Sequence, residues 1–380
     1  MTKELQTILA EYDCFKQNGE TAILATVVDV RGSSYRLPGA RMLISETGAS
    51  VGTISGGCLE ADVVERAKNV LKTGEPQVFV YDTTAHEDSI FNLNMGCRGV
   101  IRILLEPVED NEFFEFVENC AARQQPAAIA TVINSSDGAA KIGARAFLSQ
   151  LEIAQNDAPS LGNNFALSIR QQIFRRAAEV LRNKRSDCGV YQTGAGAVEI
   201  FLEFLPAPLT LNVFGAGHDA APLVRIAKEI GWQVALYDYR AAFATKARFP
   251  LADSVRVLPF DESFDLDAFD ESFAAVVMTH NYQRDKEIVW RLLNSKAVYI
   301  GALGPKRRAE QILRELRDEQ KDFPPENLQK LFAPVGLDIG AATPETIALA
   351  IVAEISAVFA NRSGGFLRER AGSIYDRDQS

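Results

Sequence analysis

A chain of 380 residues is longer than one hydrophobic core normally supports, so we expect at least two domains. Apolar residues make up 47% of the chain and charged residues 24%, a composition that is typical of a folded globular protein and excludes extended disorder. The formal net charge of −10 argues against an extensive basic surface and thus excludes nucleic acid as a partner.

Membrane and secretion signals are also missing from the sequence. The N-terminal residues lack the apolar core of a signal peptide, and the most apolar stretch, residues 347–359, is shorter than the roughly 20 residues of a membrane span. Five cysteines are widely spaced, with no Cys-x-x-Cys pair to indicate a zinc site. We therefore expect a cytoplasmic protein without membrane partners.

In chain order, the first predicted elements form a mixed α/β unit. β-Branched and apolar runs predict strands at residues 22–30, 42–44, 78–81 and 100–105. Apolar side chains at helical spacing predict a helix over residues 59–71, which Gly74 ends. The turn Ser55-Gly56-Gly57-Cys58 lies directly before this helix.

This unit is followed by a weak copy of itself. Residues 130–132, 143–145, 176–181 and 198–203 resemble residues 25–27, 39–41, 66–71 and 101–106. The pattern predicts one N-terminal domain, residues 1–207, with an internal duplication into halves of about 1–108 and 109–207. The alternative is a chance similarity of common strand patterns. Only the first half has the Ser-Gly-Gly-Cys turn, so we expect the chemistry there.

After the break Leu205-Pro206-Ala207-Pro208, strands and helices alternate. Strands are predicted at residues 209–214, 233–237, 255–258, 274–278 and 297–300, and helices at 219–230, 285–293, after Lys306 and from Pro344 onward. Such alternation is typical of a parallel sheet covered on both faces. We predict an α/β fold in which residues 208–380 form a Rossmann-type, doubly wound domain.

The turn Gly215-Ala216-Gly217-His218-Asp219-Ala220 joins the first strand of this domain to its helix. Its spacing fits the dinucleotide-binding pattern, in which glycines let backbone N–H groups approach a phosphate. Asp238 ends the second strand, where an acid normally binds a ribose hydroxyl, and Arg240 nearby leaves NADP open beside NAD. The alternative is a tight turn that binds nothing.

Further polar residues are expected at the carboxyl edge of the same sheet. His280 and Gly301 each end a predicted strand, and Lys306 and Arg307 begin the next helix. His280 is a candidate acid–base group or ligand contact, with helix capping as the alternative. His218 is a candidate phosphate contact or a packing residue, and the basic run at residues 305–308 is either a ligand site or a solvated helix start.

Cys58 lies at the start of a predicted helix, where backbone dipoles favour a thiolate. The neighbouring Gly56 and Gly57 allow a large group to approach, whereas Glu60 adds an opposing negative charge. A contact with a soft metal or sulfur is one interpretation and a buried, inert cysteine is the other. Cys97 has the same two interpretations.

At these residues the chain resembles the XdhC/CoxI family, which comprises accessory proteins of molybdenum hydroxylases such as xanthine dehydrogenase and carbon monoxide dehydrogenase. The resemblance covers nearly the whole chain. Its most specific motifs are Ser55-Gly56-Gly57-Cys58-Leu59-Glu60 and Gly336-Leu337-Asp338-Ile339-Gly340. Shorter matches are Gly32-Ser33-Ser34, Gly39-Ala40-Arg41-Met42, Met95-Gly96-Cys97, Phe214-Gly215-Ala216-Gly217-His218, Thr279-His280 and Tyr299-Ile300-Gly301.

The resemblance implies a chaperone that binds molybdenum cofactor (molybdopterin), assists its sulfuration and delivers it to a molybdenum hydroxylase apoenzyme. It also implies a cysteine desulfurase as a partner, and we expect a homodimer. Cys58, Glu60, Cys97 and His280 are then the reactive candidates, with no resident metal except a molybdenum contact through Cys58. The cofactor-binding candidates are Ser55, Gly56, Gly57, Gly215, Gly217, His218, Asp238, Gly301, Lys306 and Arg307.

Within this hypothesis, the phosphate of molybdopterin or a nucleotide lies over residues 215–218 and the dithiolene end faces Cys58. Two alternatives use the same sequence features. The first is an NAD(P)-dependent oxidoreductase with His280 as its acid–base group, and the second is a nucleotide-sensing partner of a molybdoenzyme that has no catalysis of its own.

Overall fold

A computed structural model describes residues 2–82, 99–108, 112–138, 140–154, 165–259, 273–371 and 374. The chain divides into two compact units, Met1–Ala207 and Pro208–Ser380. Within the described ranges, no helix is long and apolar enough to cross a membrane. No group of three or more His, Cys, Asp or Glu side chains in those ranges could hold a metal ion.

The first half of the N-terminal unit contains a five-stranded antiparallel sheet, in the order β3-β2-β1-β5-β4. Its helix α2 buries Val63, Ala67 and Val70 and ends at Gly74, whose left-handed conformation (φ 70°) suits glycine. The elements are α1 (Lys3–Gln17), β1 (Ala22–Gly32), β2 (Arg41–Ser45), β3 (Ser50–Gly52), α2 (Glu60–Thr73), β4 (Gln77–Asp82) and β5 (Gly99–Pro107).

The second half contains a four-stranded antiparallel sheet in the order β7-β6-β9-β8. Its longest helix buries Ile169, Ile173, Ala177 and Val180 against the strands. The elements are α3 (Glu112–Ala122), β6 (Ala127–Ser135), β7 (Arg145–Ser149), α4 (Gln150–Ala154), α5 (Leu167–Asn183), β8 (Asp187–Gln192) and β9 (Ala197–Leu205).

The two halves repeat the same strand pairing, which confirms the predicted duplication. β1 pairs with β2 and β5 as β6 pairs with β7 and β9. The ladder is interrupted after Val27 in one half and after Val132 in the other, at corresponding places. A buried cluster of Val28, Leu104, Ile133 and Phe201 joins the two sheets, so the halves share a core.

The C-terminal unit is built on a six-stranded parallel sheet in the order β12-β11-β10-β13-β14-β15. Its central strands, β10 and β13, are buried throughout, as expected for strands covered on both faces. The strands are β10 (Thr210–Phe214), β11 (Gln233–Asp238), β12 (Ser254–Val257), β13 (Phe273–Val277), β14 (Tyr299–Ala302) and β15 (Leu331–Phe332).

Helices cover both faces of this sheet. Leu223 of α6 and Ile351 of α9 belong to one buried cluster, and Ile288 of α7 and Leu316 of α8 belong to another. The predicted doubly wound Rossmann fold is thus confirmed. Helix α7 starts three residues earlier than predicted, because the Asn281 side chain caps it by accepting the Arg284 N–H (3.1 Å). The helices are α6 (Ala220–Glu229), α7 (Tyr282–Leu293), α8 (Lys306–Asp318) and α9 (Pro344–Phe359).

Candidate functional site

The predicted site residues fall into two groups, one in each unit. The N-terminal unit holds Ser55, Gly56, Gly57, Cys58 and Glu60 in the segment that leads into α2. Cys97 lies outside the described residues. The C-terminal unit holds the other candidates at the carboxyl edge of its sheet: Gly215, Gly217, His218, Asp238, His280, Gly301, Lys306 and Arg307.

The Glu60 carboxylate organises the loop that precedes it. Its Oε1 accepts a hydrogen bond from the Thr53 hydroxyl (2.6 Å), and its Oε2 accepts one from the Ser55 hydroxyl. The same carboxylate accepts from the backbone N–H groups of Ile54, Ser55, Gly56, Gly57 and Leu59. The loop amides therefore point toward a protein carboxylate, as if Glu60 took the place of a bound anion.

This arrangement fixes the charge of Glu60. Burial of the group opposes ionisation, but hydrogen bonds from the Ser55 and Thr53 side chains and from the loop backbone lower its pKa to about 2. Glu60 is ionised at neutral pH and fully engaged, and these contacts support a loop-ordering role for it.

Cys58 is exposed at the end of this ordered loop. Gly56 and Gly57 both adopt positive φ values (87° and 110°), and a Cβ on Gly56 would lie 2.8 Å from the Tyr35 ring. Glycine is therefore required at position 56, because a side chain would collide with the Tyr35 ring and because φ is positive there. The loop presents the Cys58 thiol to solvent on a well-defined backbone.

The other described cysteines differ from Cys58. Burial raises the pKa of Cys120 to about 11 and the pKa of Cys188 to about 12, so neither thiol ionises readily. Cys14 is exposed like Cys58, but it lies on helix α1 rather than on a glycine loop. Cys58 is thus the one exposed thiol on a glycine loop among the described residues.

In the C-terminal unit, the glycine turn follows β10. Gly215 adopts φ 129°, and a Cβ there would collide with the Met278 carbonyl oxygen. Its N–H donates to the Tyr237 carbonyl oxygen (2.7 Å), and the next N–H, of Ala216, donates to the Asp238 carboxylate (2.6 Å). Both hydrogen bonds tie the turn to β11, and the Met278 carbonyl oxygen, which follows β13, packs closely against Gly215.

The Asp238 carboxylate is fully engaged by protein groups. Besides Ala216, it binds the Arg240 guanidinium through Nε (2.9 Å) and Nη2 (2.8 Å). Burial opposes its ionisation, but the hydrogen bonds from Arg240 and Ala216 prevail and lower the pKa of Asp238. The predicted ribose-binding acid is therefore already paired.

Two arginines flank an aromatic ring beside this turn. The Arg240 guanidinium carbon lies 4.0 Å from the Phe243 ring centroid, and that of Arg248 lies 4.5 Å from it. Arg248 also donates to the Ala216 carbonyl oxygen (3.1 Å). Arg248 therefore adds a positive charge beside the turn, whereas the charge of Arg240 is balanced by Asp238.

His280 is paired with Asp219 above the glycine turn. Its Nε2 lies 2.8 Å from Asp219 Oδ2, and a Cβ on Gly217 would collide with Asp219 Oδ1 and lie 3.7 Å from His280 Nε2. His280 itself adopts φ 59°, a left-handed conformation that is uncommon outside glycine. The space that Gly217 leaves open is used by this pair, and His218 lies beside it as the next residue of the turn.

The remaining candidates lie farther along the sheet edge. Gly301 is buried, and a Cβ there would collide with Val335, so its position is determined by packing. Lys306 and Arg307 are exposed at the start of α8. Arg308, next to them, donates to the buried Asp285 carboxylate (2.6 Å), which also accepts from the Thr279 hydroxyl (2.5 Å).

Asp219, Phe243, Arg248 and Asp285 were not among the site residues predicted from the sequence, whereas Arg308 was, as part of the basic run at residues 305–308. Asp219 belongs to the glycine turn itself, so its position in the motif was an available signal. The contacts of Arg248 and Asp285 depend on the folded paths of separate loops, which no spacing in the sequence encodes.

Comparison with known proteins agrees with this geometry. The sequence profile of the XdhC and CoxI family matches residues 15–82, and that of the XdhC Rossmann domain matches residues 211–355. The chain is 31% identical over 347 residues to a probable xanthine dehydrogenase subunit of Bacillus subtilis (strain 168), covering 90% of this chain and 94% of that protein. The chain belongs to the XdhC and CoxI family.

Two further proteins match almost the whole of this chain. The chain is 22% identical over 358 residues to the molybdenum cofactor insertion chaperone PaoD of Escherichia coli (strain K12), covering 94% of this chain and 90% of PaoD. The crystal structure of a xanthine dehydrogenase from Bacillus halodurans matches with a TM-score of 0.71 at 27% identity, covering 93% of this chain and 96% of that one. The family resemblance predicted from the sequence motifs is confirmed.

Proposed function

We propose that this chain binds molybdenum cofactor and assists its sulfuration and its insertion into a molybdenum hydroxylase of the xanthine dehydrogenase type. The names of its relatives support an accessory role for molybdenum enzymes. The observation that carries the proposal is the exposed Cys58 thiol on a loop ordered by Glu60. A thiolate is a soft ligand that suits molybdenum or its terminal sulfur.

The C-terminal unit suits a phosphate group. The start of α6 offers backbone N–H groups and the positive end of a helix dipole. His218 lies in the turn, and Arg248 adds a positive charge beside it. We expect an incoming phosphate to separate Asp219 from His280, because that pair lies over Gly217.

Each unit then has a defined task. When bound, the cofactor supplies the redox-active metal that a client enzyme uses. The N-terminal unit offers Cys58, on the loop that Glu60 orders, as a contact for the sulfur end, and the C-terminal unit offers the turn at Gly215 and Gly217 as a contact for a phosphate. We further propose a client apoenzyme and a cysteine desulfurase as partners, and self-association into a homodimer.

The test is purification from a host that makes molybdopterin, followed by denaturation and measurement of released pterin fluorescence and molybdenum. We expect about one pterin per chain, with loss in Cys58→Ala and retention in the control Cys14→Ala, which removes an exposed thiol on α1. A Cys58→Ala protein that retained and delivered sulfurated cofactor would contradict the role of Cys58.

A second candidate is an NAD(P)-dependent oxidoreductase, favoured by the glycine turn and Asp238. The pairing of Asp238 with Arg240 weighs against it, because a ribose hydroxyl would have to compete with a guanidinium. Tight nicotinamide dinucleotide binding without any retained pterin would favour this candidate. A nucleotide-sensing partner without catalysis would instead bind a molybdoenzyme regardless of its cofactor load.

A further inference from the structure

A cavity of about 400 Å³ lies in the C-terminal unit, apart from the glycine turn along the sheet edge. Its walls are mostly apolar and include Leu303, Val335, Leu337, Ile339 and Ile347. One carboxylate, that of Asp338, lines the same cavity. The volume is in the range of small-ligand pockets, and the position matches the carboxyl edge where ligands bind in open α/β sheets.

The walls of this cavity are held in place by the fold. The Glu354 carboxylate of α9 accepts the Gly336 N–H (2.9 Å) and the Tyr299 hydroxyl, which ties the loop after β15 to the helix and to β14. The Leu337 N–H donates to the Ala350 carbonyl oxygen (3.2 Å). These hydrogen bonds therefore anchor the start of the loop that carries Asp338 to helix α9.

Asp338 is exposed and has no hydrogen-bond or ion-pair partner among the described residues. A carboxylate in a mostly apolar cavity favours a ligand that brings its own hydrogen-bond donors. Two parallel N–H groups on a flat ring give the strongest pairing, because both carboxylate oxygens then accept. The 2-amino-4-oxo edge of a pterin presents such a pair of donors, and so does the corresponding edge of guanine.

We infer that this cavity binds the pterin ring of the cofactor, with Asp338 accepting from its 2-amino and ring N–H groups and the apolar side chains packing against the ring. The inference rests on the proposed function, which places the phosphate at the glycine turn. β10 and β14 are two strands apart, which is roughly 10 Å. That separation is comparable to the reach of a pterin joined to a phosphate by a short side chain.

The test is titration of the purified full chain with neopterin, followed by ligand fluorescence. The matched ligand is 6-(trihydroxypropyl)lumazine, which keeps the side chain of neopterin and replaces the 2-amino group with an oxygen that cannot donate. We expect saturable neopterin binding, at least about tenfold weaker lumazine binding, and a loss of that preference in Asp338→Asn, whose amide offers one donor and one acceptor. Asp318→Asn, at the far end of α8, is the matched control and should bind like the unaltered protein.

Equal neopterin affinity in Asp338→Asn and the unaltered protein would overturn the inference, as would no saturable neopterin binding at all. Tighter binding of guanosine than of neopterin would overturn the pterin assignment in favour of a nucleobase. Melting temperatures of both variants report whether the fold is intact. Retained molybdopterin that is insensitive to Asp338→Asn would remove this site and leave the proposed function standing. Specific neopterin binding without retained molybdopterin would support this site and contradict the proposed function.

Discussion

The Arg41 guanidinium and the Glu203 carboxylate form a buried ion pair that joins the two halves of the N-terminal unit. Arg41 Nη1 donates to Glu203 Oε1 at 2.7 Å, and the side chains are only 5% and 6% exposed. The duplication repeats the pair in reverse, because Arg145, the counterpart of Arg41, binds Glu106, the counterpart of Glu203. Both guanidinium carbons lie over the Phe113 ring, at 4.7 and 5.2 Å from its centroid.

Arg41→Met should destabilise the N-terminal unit by about 3–5 kcal/mol, because it leaves the Glu203 carboxylate buried without its partner. The double variant Arg41→Met with Glu203→Leu should recover most of that loss, since an apolar pair leaves no uncompensated charge. Equilibrium denaturation of the single and double variants measures both effects.

Lys68→Met is the control for that experiment, because it breaks an exposed pair with Glu65 and should cost less than about 1 kcal/mol. A single Arg41→Met variant as stable as Lys68→Met would show that the buried pair does not join the halves energetically.

Glu60→Gln should remove a pH-dependent part of the stability. The folded state lowers the pKa of Glu60 from 4.5 to about 2, so ionised Glu60 stabilises the fold above about pH 4.5. That contribution, up to about 3 kcal/mol, is lost as the pH falls from 4.5 toward 2. Denaturant titrations from about pH 6 to about pH 3 should therefore give a flatter stability profile for the variant.

Glu65→Gln is the matched control on the same helix, since the Glu65 side chain is 69% exposed. It should follow the unaltered protein across the whole pH range. Parallel stability profiles for Glu60→Gln and the unaltered protein would rule out the loop-ordering role of Glu60.

The two glycines of the Rossmann turn should respond differently to alanine. Gly215→Ala forces a side chain onto φ 129° and into the Met278 carbonyl oxygen, so it should cost more than about 2 kcal/mol. Gly217→Ala meets only the Asp219 side chain, which can move, so it should cost less than about 1 kcal/mol. Thermal or denaturant unfolding of both variants measures their loss of stability relative to the unaltered protein.

Gly217→Ala should also disturb the pair between Asp219 and His280. The chain has three histidines, so the imidazole resonances can be assigned by single substitutions in NMR spectra. A shifted His280 signal with a nearly unchanged melting temperature is the expected result. An unchanged signal would show that the pair of Asp219 and His280 does not lie over Gly217.

Thiol modification should separate the described cysteines into two classes. Cys14 and Cys58 are exposed and should react with iodoacetamide in the folded protein. Cys120 and Cys188 have raised pKa values, of about 11 and about 12, and should react only after unfolding. Mass spectrometry of timed samples measures this, and rapid labelling of Cys188 in the folded protein would contradict its burial.

Much of the fold could be predicted from the sequence because its signals are local. The turn at Gly215 and Gly217, the alternation of strands and helices after Pro208, and the end of α2 at Gly74 each depend on residues close together in the chain. The duplication was visible as well, since residues 130–132, 143–145, 176–181 and 198–203 repeat the sequence pattern of the first half.

The state of the candidate site could not be predicted in the same way. Position alone identified Asp238 as a ribose-binding acid, but the structure pairs it with Arg240 and with the turn itself. The negative charge of Glu60 was expected to oppose formation of a thiolate at Cys58. In the structure, the Glu60 carboxylate accepts hydrogen bonds from the loop amides. Hydrogen bonds of this kind depend on side-chain directions, which spacing does not specify.

Local patterns were sufficient for the Rossmann fold, the repeated halves and the family, because hydrophobic periodicity and glycine turns are encoded by neighbouring residues. The folded chain was needed to find that His280 meets Asp219 across 61 residues and that Arg41 meets Glu203 across 162. Such pairs arise when separate strands end at the same edge or pack against the same core. Their partners follow from the path of the whole chain and not from any local pattern.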